Sequence, residues 1–402
     1  MSRQRTRQPL STYRLQLTPR FGFDDAATLV PYLASLGVTH VYLSPVLQAT
    51  PGSTHGYDVI DHQRINTQLG GEQALRALAD TAHAHGLGLV VDVVPNHMAV
   101  PEPESLNSAL WSVLRDGPTS PFARWFDVDW SSQQRSFLMP VLGARIGQVL
   151  AAGEVTLDTS GAEPVLRYYS HEFPVREGTV DLALPELVDR QWYRLAHWRV
   201  ADEELNYRRF FDVGKLVAVR VEDPQVFAAT HQRLLALHAD GVIDGFRIDH
   251  PDGLADPRGY LRQLVAAAPG AWIVVEKILE GDERLPSDWP CAGTTGYDAL
   301  ARITGVALDP SGLEPLGALW SDIAPPDLRD YDSVAAASKR QVIATSLRAE
   351  VARLVDLAHH ISADDLAYRD LTRSGLEAAL TELLVEFPVY RAYVVPGESA
   401  PP

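Results

Sequence analysis

The sequence predicts an α/β chain of the (β/α)8, TIM-type barrel class. The barrel is expected to be incomplete within these 402 residues, with a subdomain inserted after the third strand and a helical C-terminal region. Three observations carry this. Apolar strand-like runs alternate with helix-like runs over the first hundred residues, the rhythm of parallel βα units. The rhythm stops over 99–216 and then returns. Two of the later runs end in charge, Gly245-Phe246-Arg247-Ile248-Asp249-His250 and Trp272-Ile273-Val274-Val275-Glu276, and in such barrels chemistry sits at the C-terminal ends of strands.

In chain order, residues 1–9 read as a disordered tail. Thr12, Arg14 and Gln16 alternate with Tyr13, Leu15 and Leu17, so 11–17 reads as a first strand. A helix capped by Asp24 runs to Ser35, with Gly37 as its stop. Strand 38–43 gives way to a Gly/Pro/Ser/Thr loop that reaches Tyr57, and a helix over 73–85 stops at Gly86. Leu87 to Val94 is apolar except for Asp92, the pattern of a strand buried on both faces, and it ends in Pro95-Asn96-His97. Residues 10–98 are thus the first part of the barrel. The span 99–216 holds Pro-rich turns, β-like pieces at 149–157 and 165–169 and a helical pattern over 187–206, an inserted subdomain. Barrel elements resume over 217–310: helix 224–238, the strand before Asp249, helix 257–268 and the strand before Glu276. Residues 311–402 read as a helical region, with helices at 334–361 and 376–385. Five strands are evident where closure needs eight. Either more lie near 296–310 and 389–395, or barrel completion comes beyond the C-terminus.

Composition narrows the function. A net charge of −17 argues against a nucleic-acid surface and suits a protein handling neutral ligands. The N-terminus has no apolar signal core, and no run is long enough to span a membrane. The single cysteine, Cys291, excludes an intrachain disulfide and fits a reducing, cytoplasmic location. No zinc-ligand spacing, Gly-x-Ser-x-Gly or dinucleotide fingerprint occurs, and Gly293-Thr294-Thr295-Gly296 lacks the lysine of a phosphate-binding loop. No cofactor or metal is expected; Asp92 and Asn96 have oxygens that suit calcium, but they read better as hydrogen-bonded scaffolding.

Asp249 and Glu276 at adjacent strand ends could be the two carboxyl groups of a retaining glycosidase, one attacking the anomeric carbon and the other protonating the leaving oxygen. The same residues are equally consistent with surface loop acids or an Arg247–Asp249 structural pair. Arg247 shares a face with Asp249 by period two and would keep it ionised. His97 could donate to a sugar hydroxyl. In His55-Gly56-Tyr57-Asp58, Tyr57 offers a stacking surface and Asp58 a bidentate acceptor. Asn206 to Asp212, with two arginines and three aromatics, reads as a packed helix end or a sugar platform.

Taken in order, His55-Gly56-Tyr57-Asp58, Asp92-Val93-Val94-Pro95-Asn96-His97, Gly245 to His250 and Glu276 resemble the α-amylase superfamily of glycoside hydrolases, and the long insertion resembles that family's B domain. Ser11-Thr12-Tyr13-Arg14-Leu15-Gln16, Trp125 to Trp130, Asn206 to Asp212, Val275-Glu276-Lys277-Ile278-Leu279, Gly293 to Asp298 and Phe387 to Tyr393 are similar to the maltooligosyltrehalose synthase family within it. The resemblance implies an intramolecular transferase, a (1→4)-α-D-glucan 1-α-D-glucosylmutase acting on maltooligosaccharide. Asp249 would be its nucleophile and Glu276 its acid/base. Tyr57, Asp58, His97, Arg247 and His250 would bind sugar, with Asp92 and Asn96 structural at the site. It also implies a functional partnership with a trehalose-releasing hydrolase.

One expected feature is missing. The family uses a third carboxylate, an Asp after His on a later strand. No such strand end follows Glu276, and His359-His360 with Asp364 lies in a helical pattern. Family members are also longer, so this chain alone is expected to be inactive or weakly active. The alternatives are an α-amylase-type hydrolase and a non-catalytic maltooligosaccharide-binding remnant.

Overall fold

A computed structural model describes residues 8–130, 136–395 and 397–398; most of the expected N-terminal tail lies outside them. The central sheet has five parallel strands: β1 (Thr12–Leu15), β2 (His40–Leu43), β3 (Gly88–Val93), β4 (Gly245–Ile248) and β5 (Trp272–Val275). Their order across the sheet equals their order in the chain, and among the described residues β1 and β5 are its edges. Helices α1 (Phe23–Ser35), α2 (Gly71–Ala84), α3 (Pro224–Ala239) and α4 (Pro257–Ala267) precede β2 to β5 in turn.

Period two splits the sheet into two faces. Leu15, Leu43, Val91, Phe246 and Ile273 are register partners across all five strands, and each is at most 6% exposed beneath the helices. Burying one such side chain stabilises the fold by roughly 1.5–3 kcal/mol. The opposite face carries Arg14, Tyr42, Asp92 and Arg247, so the fold's polar groups converge on one side. Gly245 lets β4 and β5 approach: a Cβ there would lie 2.6 Å from the Trp272 carbonyl oxygen.

Two helix starts show how sequence sets the caps. Asp223 and Asp256 each accept from a backbone N–H in the first turn, and a proline follows each at the first helical position. In α1, by contrast, Asp24 is not the cap. The helix begins one residue earlier, and Asp25 accepts from the Gly22 N–H at 2.9 Å.

Residues between β3 and α3 build a second apolar core around Phe137, Phe173, Tyr193 and Tyr207. The helix expected over 187–206 is absent. Leu184–Asp189 and Ala201–Glu204 are short helices, but Tyr193–His197 is a strand pairing with Phe137–Leu142, which buries Tyr193 and Leu195. Tertiary pairing overrides local helical pattern there. The β-like piece 149–157 is also corrected: Ile146–Ala151 is helical and only Val155–Asp158 is strand, in a sheet with Val165–Tyr168 and His171–Pro174.

Beyond β5 the described residues form helices and no strand. Residues 296–310 hold the helix Tyr297–Val306, and 389–395 are irregular. The single helix expected over 334–361 is two, Tyr331–Ala344 and Arg348–Ala363. The break frees the Ser346 carbonyl, which accepts from Arg209 at 2.7 Å. Leu313, Leu316, Trp320 and Ile323 of the helix Leu313–Ile323 are all exposed. No helix among the described residues is long and apolar enough to cross a membrane.

Burial has a pH consequence. His62 and His97 are pushed down to about 4 and His231 to about 3, because each is buried as a neutral ring. A depressed pKa contributes stability that is complete above the unfolded value and lost as pH falls through the folded one. Urea unfolding should therefore show stability falling by a few kcal/mol between about pH 6.5 and pH 4, with proton uptake on unfolding. The slope should be shallower in His231→Gln; an unchanged slope in that variant would contradict the assignment.

Candidate active site

Arg247 on β4 stands opposite Asp92 on β3, and both project to the polar face. The ladder continues past the strand ends. The Asp249 N–H donates to Val93 O at 2.9 Å, and the Glu276 N–H donates to Ile248 O at 2.8 Å. Backbone pairing thus aims both acids before any side-chain contact is made.

One guanidinium joins the group. Arg247 Nη1 lies 2.8 Å from Asp92 Oδ1 and 2.7 Å from Asp249 Oδ1, while Nη2 lies 2.7 Å from Glu276 Oε1. One guanidinium thus bridges Asp249 and Glu276, a nitrogen to each. Glu276 Oε2 accepts from the His250 N–H at 3.0 Å. Tyr42 and Tyr57 donate their hydroxyls to Asp92 Oδ2 at 2.6 and 2.7 Å. Arg14 donates to the Tyr57 hydroxyl at 3.2 Å and lies over the Tyr42 ring.

Burial pushes Asp92 above the usual carboxylate range, opposed by Arg247. Burial also raises Asp249, and the charge of Asp92 raises it further. Burial works against the charge of Arg247, yet the surrounding carboxylates hold it firmly protonated. Tyr42 and Tyr57 are raised by burial and by Asp92, so both stay hydroxyl donors. Arg247 thus places one positive charge against all three acids.

The other sequence candidates divide. His97 is 1% exposed, its Nε2 lies 3.1 Å from the Tyr57 carbonyl, and its ring packs on Phe210. Asn96 Oδ1 accepts from Arg208 at 3.4 Å. Asp58 does not join the cluster: Ser53 donates to it and closes its own loop. His250 is left-handed, with φ 41°, a conformation costing a non-glycine residue roughly 1–2 kcal/mol. Its ring meets Phe210, Phe211 and Tyr390. A Cβ at Gly253 would fall 2.5 Å from Asn96 Oδ1, so the loop packs tightly there. Among the described residues no group of three or more His, Cys, Asp or Glu could hold a metal ion.

A cleft of about 560 Å³ opens over the cluster, lined by Arg14, Tyr42, Tyr57, Arg247 and Glu276, with Tyr297 and Leu300 on its far wall. Sequence reasoning gave Arg14 no individual role and missed Tyr42. The signal was their shared parity on β1 and β2. Arg208 and Arg391, which hold the loop after Asp249, carried no such signal.

Removing a cation from a buried charge cluster leaves its partners uncompensated. Arg247→Met should destabilise the chain by about 3–5 kcal/mol at neutral pH. The loss should shrink as pH falls and the carboxyls protonate. Equal unfolding midpoints for variant and parent at neutral pH would contradict the geometry.

Comparison with known proteins fits this layout. The α-amylase catalytic domain model matches residues 27–260. A Mycobacterium tuberculosis protein named "Putative maltooligosyl trehalose synthase" is 42% identical over 351 residues, 86% of this chain and 44% of its own length. The solved maltooligosyltrehalose synthase from Arthrobacter ramosus is 44% identical with a TM-score of 0.87, over 96% of this chain and 48% of that one. A hypothetical maltooligosyl trehalose synthase from Sulfolobus tokodaii is 34% identical with a TM-score of 0.83, over 98% of this chain and 50% of that one. The chain thus spans about half the length of these relatives. With more than half of its residues matched by the domain model, the chain belongs to the α-amylase catalytic-domain family.

Proposed function

We propose that this chain carries the nucleophile and acid/base of a maltooligosyltrehalose synthase, which converts the reducing-end α-1,4 bond of a maltooligosaccharide into an α,α-1,1 bond. The observation that carries the reading is the single guanidinium holding Asp249 and Glu276 at adjacent strand ends beside an open cleft. Relatives named for this activity support it over 86% or more of the chain.

Glu276 gives its proton to the glycosidic oxygen as the Asp249 carboxylate bonds to the anomeric carbon, forming a glycosyl ester and free glucose. The glucose stays and turns. Its anomeric hydroxyl attacks the anomeric carbon of the glycosyl ester, Glu276 takes the proton, and the bond from that carbon to the Asp249 carboxylate oxygen breaks. Retention of glucose supplies the effective concentration that lets it compete with water. Arg247 holds both acids, while Asp92 with its two tyrosines fixes Arg247. Tyr57 and His250 serve as sugar contacts; Asp58 and His97, bonded to Ser53 and to the Tyr57 carbonyl, brace the loop that carries Tyr57, with Asp92 and Asn96 supporting the site.

On this reading residues 10–98 and 217–310 are barrel, 99–216 an inserted subdomain and 311–402 a helical region. The protein works in the cytoplasm, and a trehalose-releasing hydrolase consumes its product.

With maltoheptaose, the native gene product should lose reducing ends without chain shortening; accumulation of new reducing ends would favour a hydrolase instead. Glu276→Gln should lower turnover by roughly 10²–10⁴-fold, and Asp249→Asn by at least as much. Because Asp249 is raised and must be ionised to attack, kcat/KM should fall as pH drops through a value above the ordinary carboxylate range. A limb at or below that range would contradict the nucleophile assignment.

A further inference from the structure

The loop after Asp249 is held by groups with no part in the chemistry above. The left-handed turn at His250 takes the backbone off the strand ladder, so the carbonyls that follow need donors from elsewhere. Arg208 donates to Gly253 O at 2.6 Å. Arg391 donates to three more: Asp252 O at 2.6 Å, Leu254 O, and Ala255 O at 2.9 Å. Two residues on, the Tyr393 hydroxyl donates to Asp252 Oδ1, while its ring packs edge-on against Trp289. The other Asp252 oxygen faces Lys277 Nζ at 3.6 Å. Lys277 is 1% exposed, is paired with Glu283 at 2.8 Å, and directly follows Glu276.

Asp252 therefore joins three parts of the chain: the turn three residues after Asp249, the residue after Glu276, and a C-terminal segment nearly 140 residues away. Lys277, Arg391 and Tyr393 lie outside the span matched by the α-amylase domain, residues 27–260, while Asp252 lies inside it, so the clamp ties that span to the chain beyond it.

We propose that Arg391 and Tyr393 are positioning residues: a strap that, through Asp252 and Lys277, sets where Asp249 and Glu276 stand relative to each other. The proposal rests on the roles given above to Asp249 and Glu276. A displacement of the order of an ångström between reacting groups is enough to cost a large part of the rate, so the strap acts on turnover more than on binding.

The test joins two readouts. In this chain, amide hydrogen exchange should rise in peptides covering 249–255 and 276–278 in Tyr393→Phe, with Asp252→Asn giving the same pattern. In the native gene product acting on maltoheptaose, Tyr393→Phe should lower kcat by roughly tenfold to a hundredfold with KM unchanged. Arg391→Lys should fall less than Arg391→Met, and Tyr393→Phe with Asp252→Asn together should be no worse than the more impaired single variant. Unchanged exchange overturns the strap. So does unchanged kcat per folded enzyme, or additivity in the double variant. If the parent protein does not turn over maltoheptaose, the reading of Asp249 and Glu276 fails, and the exchange measurement alone then decides whether the strap holds the loop.

Discussion

The site depends on one buried cation. Arg247 is fixed by strand register opposite Asp92 and reaches Asp249 and Glu276 with the same guanidinium. Without it, the neighbouring carboxylates would repel one another, and burial of Asp92 and Asp249 would favour their neutral forms. With it, they can stand close enough to act on one sugar. The planar fork of arginine is what permits this, since a lysine ammonium would offer a point charge rather than two directed faces. Tyr42, Tyr57 and Arg14 extend the same network to β1 and β2, so four neighbouring strands answer to one charge.

Much of this was legible in the sequence because period two is a strict rule. The parity that puts Arg247 and Asp249 on one face is visible in six residues, and all five strands of the sheet were found. Tyr42 was not, because a tyrosine in an apolar strand reads as core until its hydroxyl partner is known. The helical reading of 187–206 failed for a different reason. Its pattern suits a helix locally, but Tyr193–His197 pairs with Phe137–Leu142 as a strand, and Tyr193 and Leu195 are buried there. The break at Thr345–Leu347 follows from packing with the insertion through Arg209, which no local signal encodes. Arg391 lay beyond reach because its partners are carbonyls almost 140 residues away.

The arrangement also separates duties along the chain. The first three strands supply Arg14, Tyr42 and Asp92, β4 supplies Arg247 and leads to Asp249, β5 leads to Glu276, and the C-terminal segment braces the loop after Asp249. The inserted residues build their own apolar core and contribute Phe210 and Arg208 to the packing of the loop after Asp249. Function is thus distributed over segments that meet only when the fold is complete, which is why the motifs carry more information as an ordered set than singly.

The covalent step is open to direct observation. The native gene product, given a fluorinated maltosyl donor that forms the glycosyl ester but releases it slowly, should gain the mass of one glycosyl group on the peptide containing Asp249. The Asp249→Asn variant should gain none. Label on a different residue, or steady turnover of maltooligosaccharide by the Asn variant, would contradict the assignment of Asp249 as nucleophile and with it the role given to the Arg247 cluster.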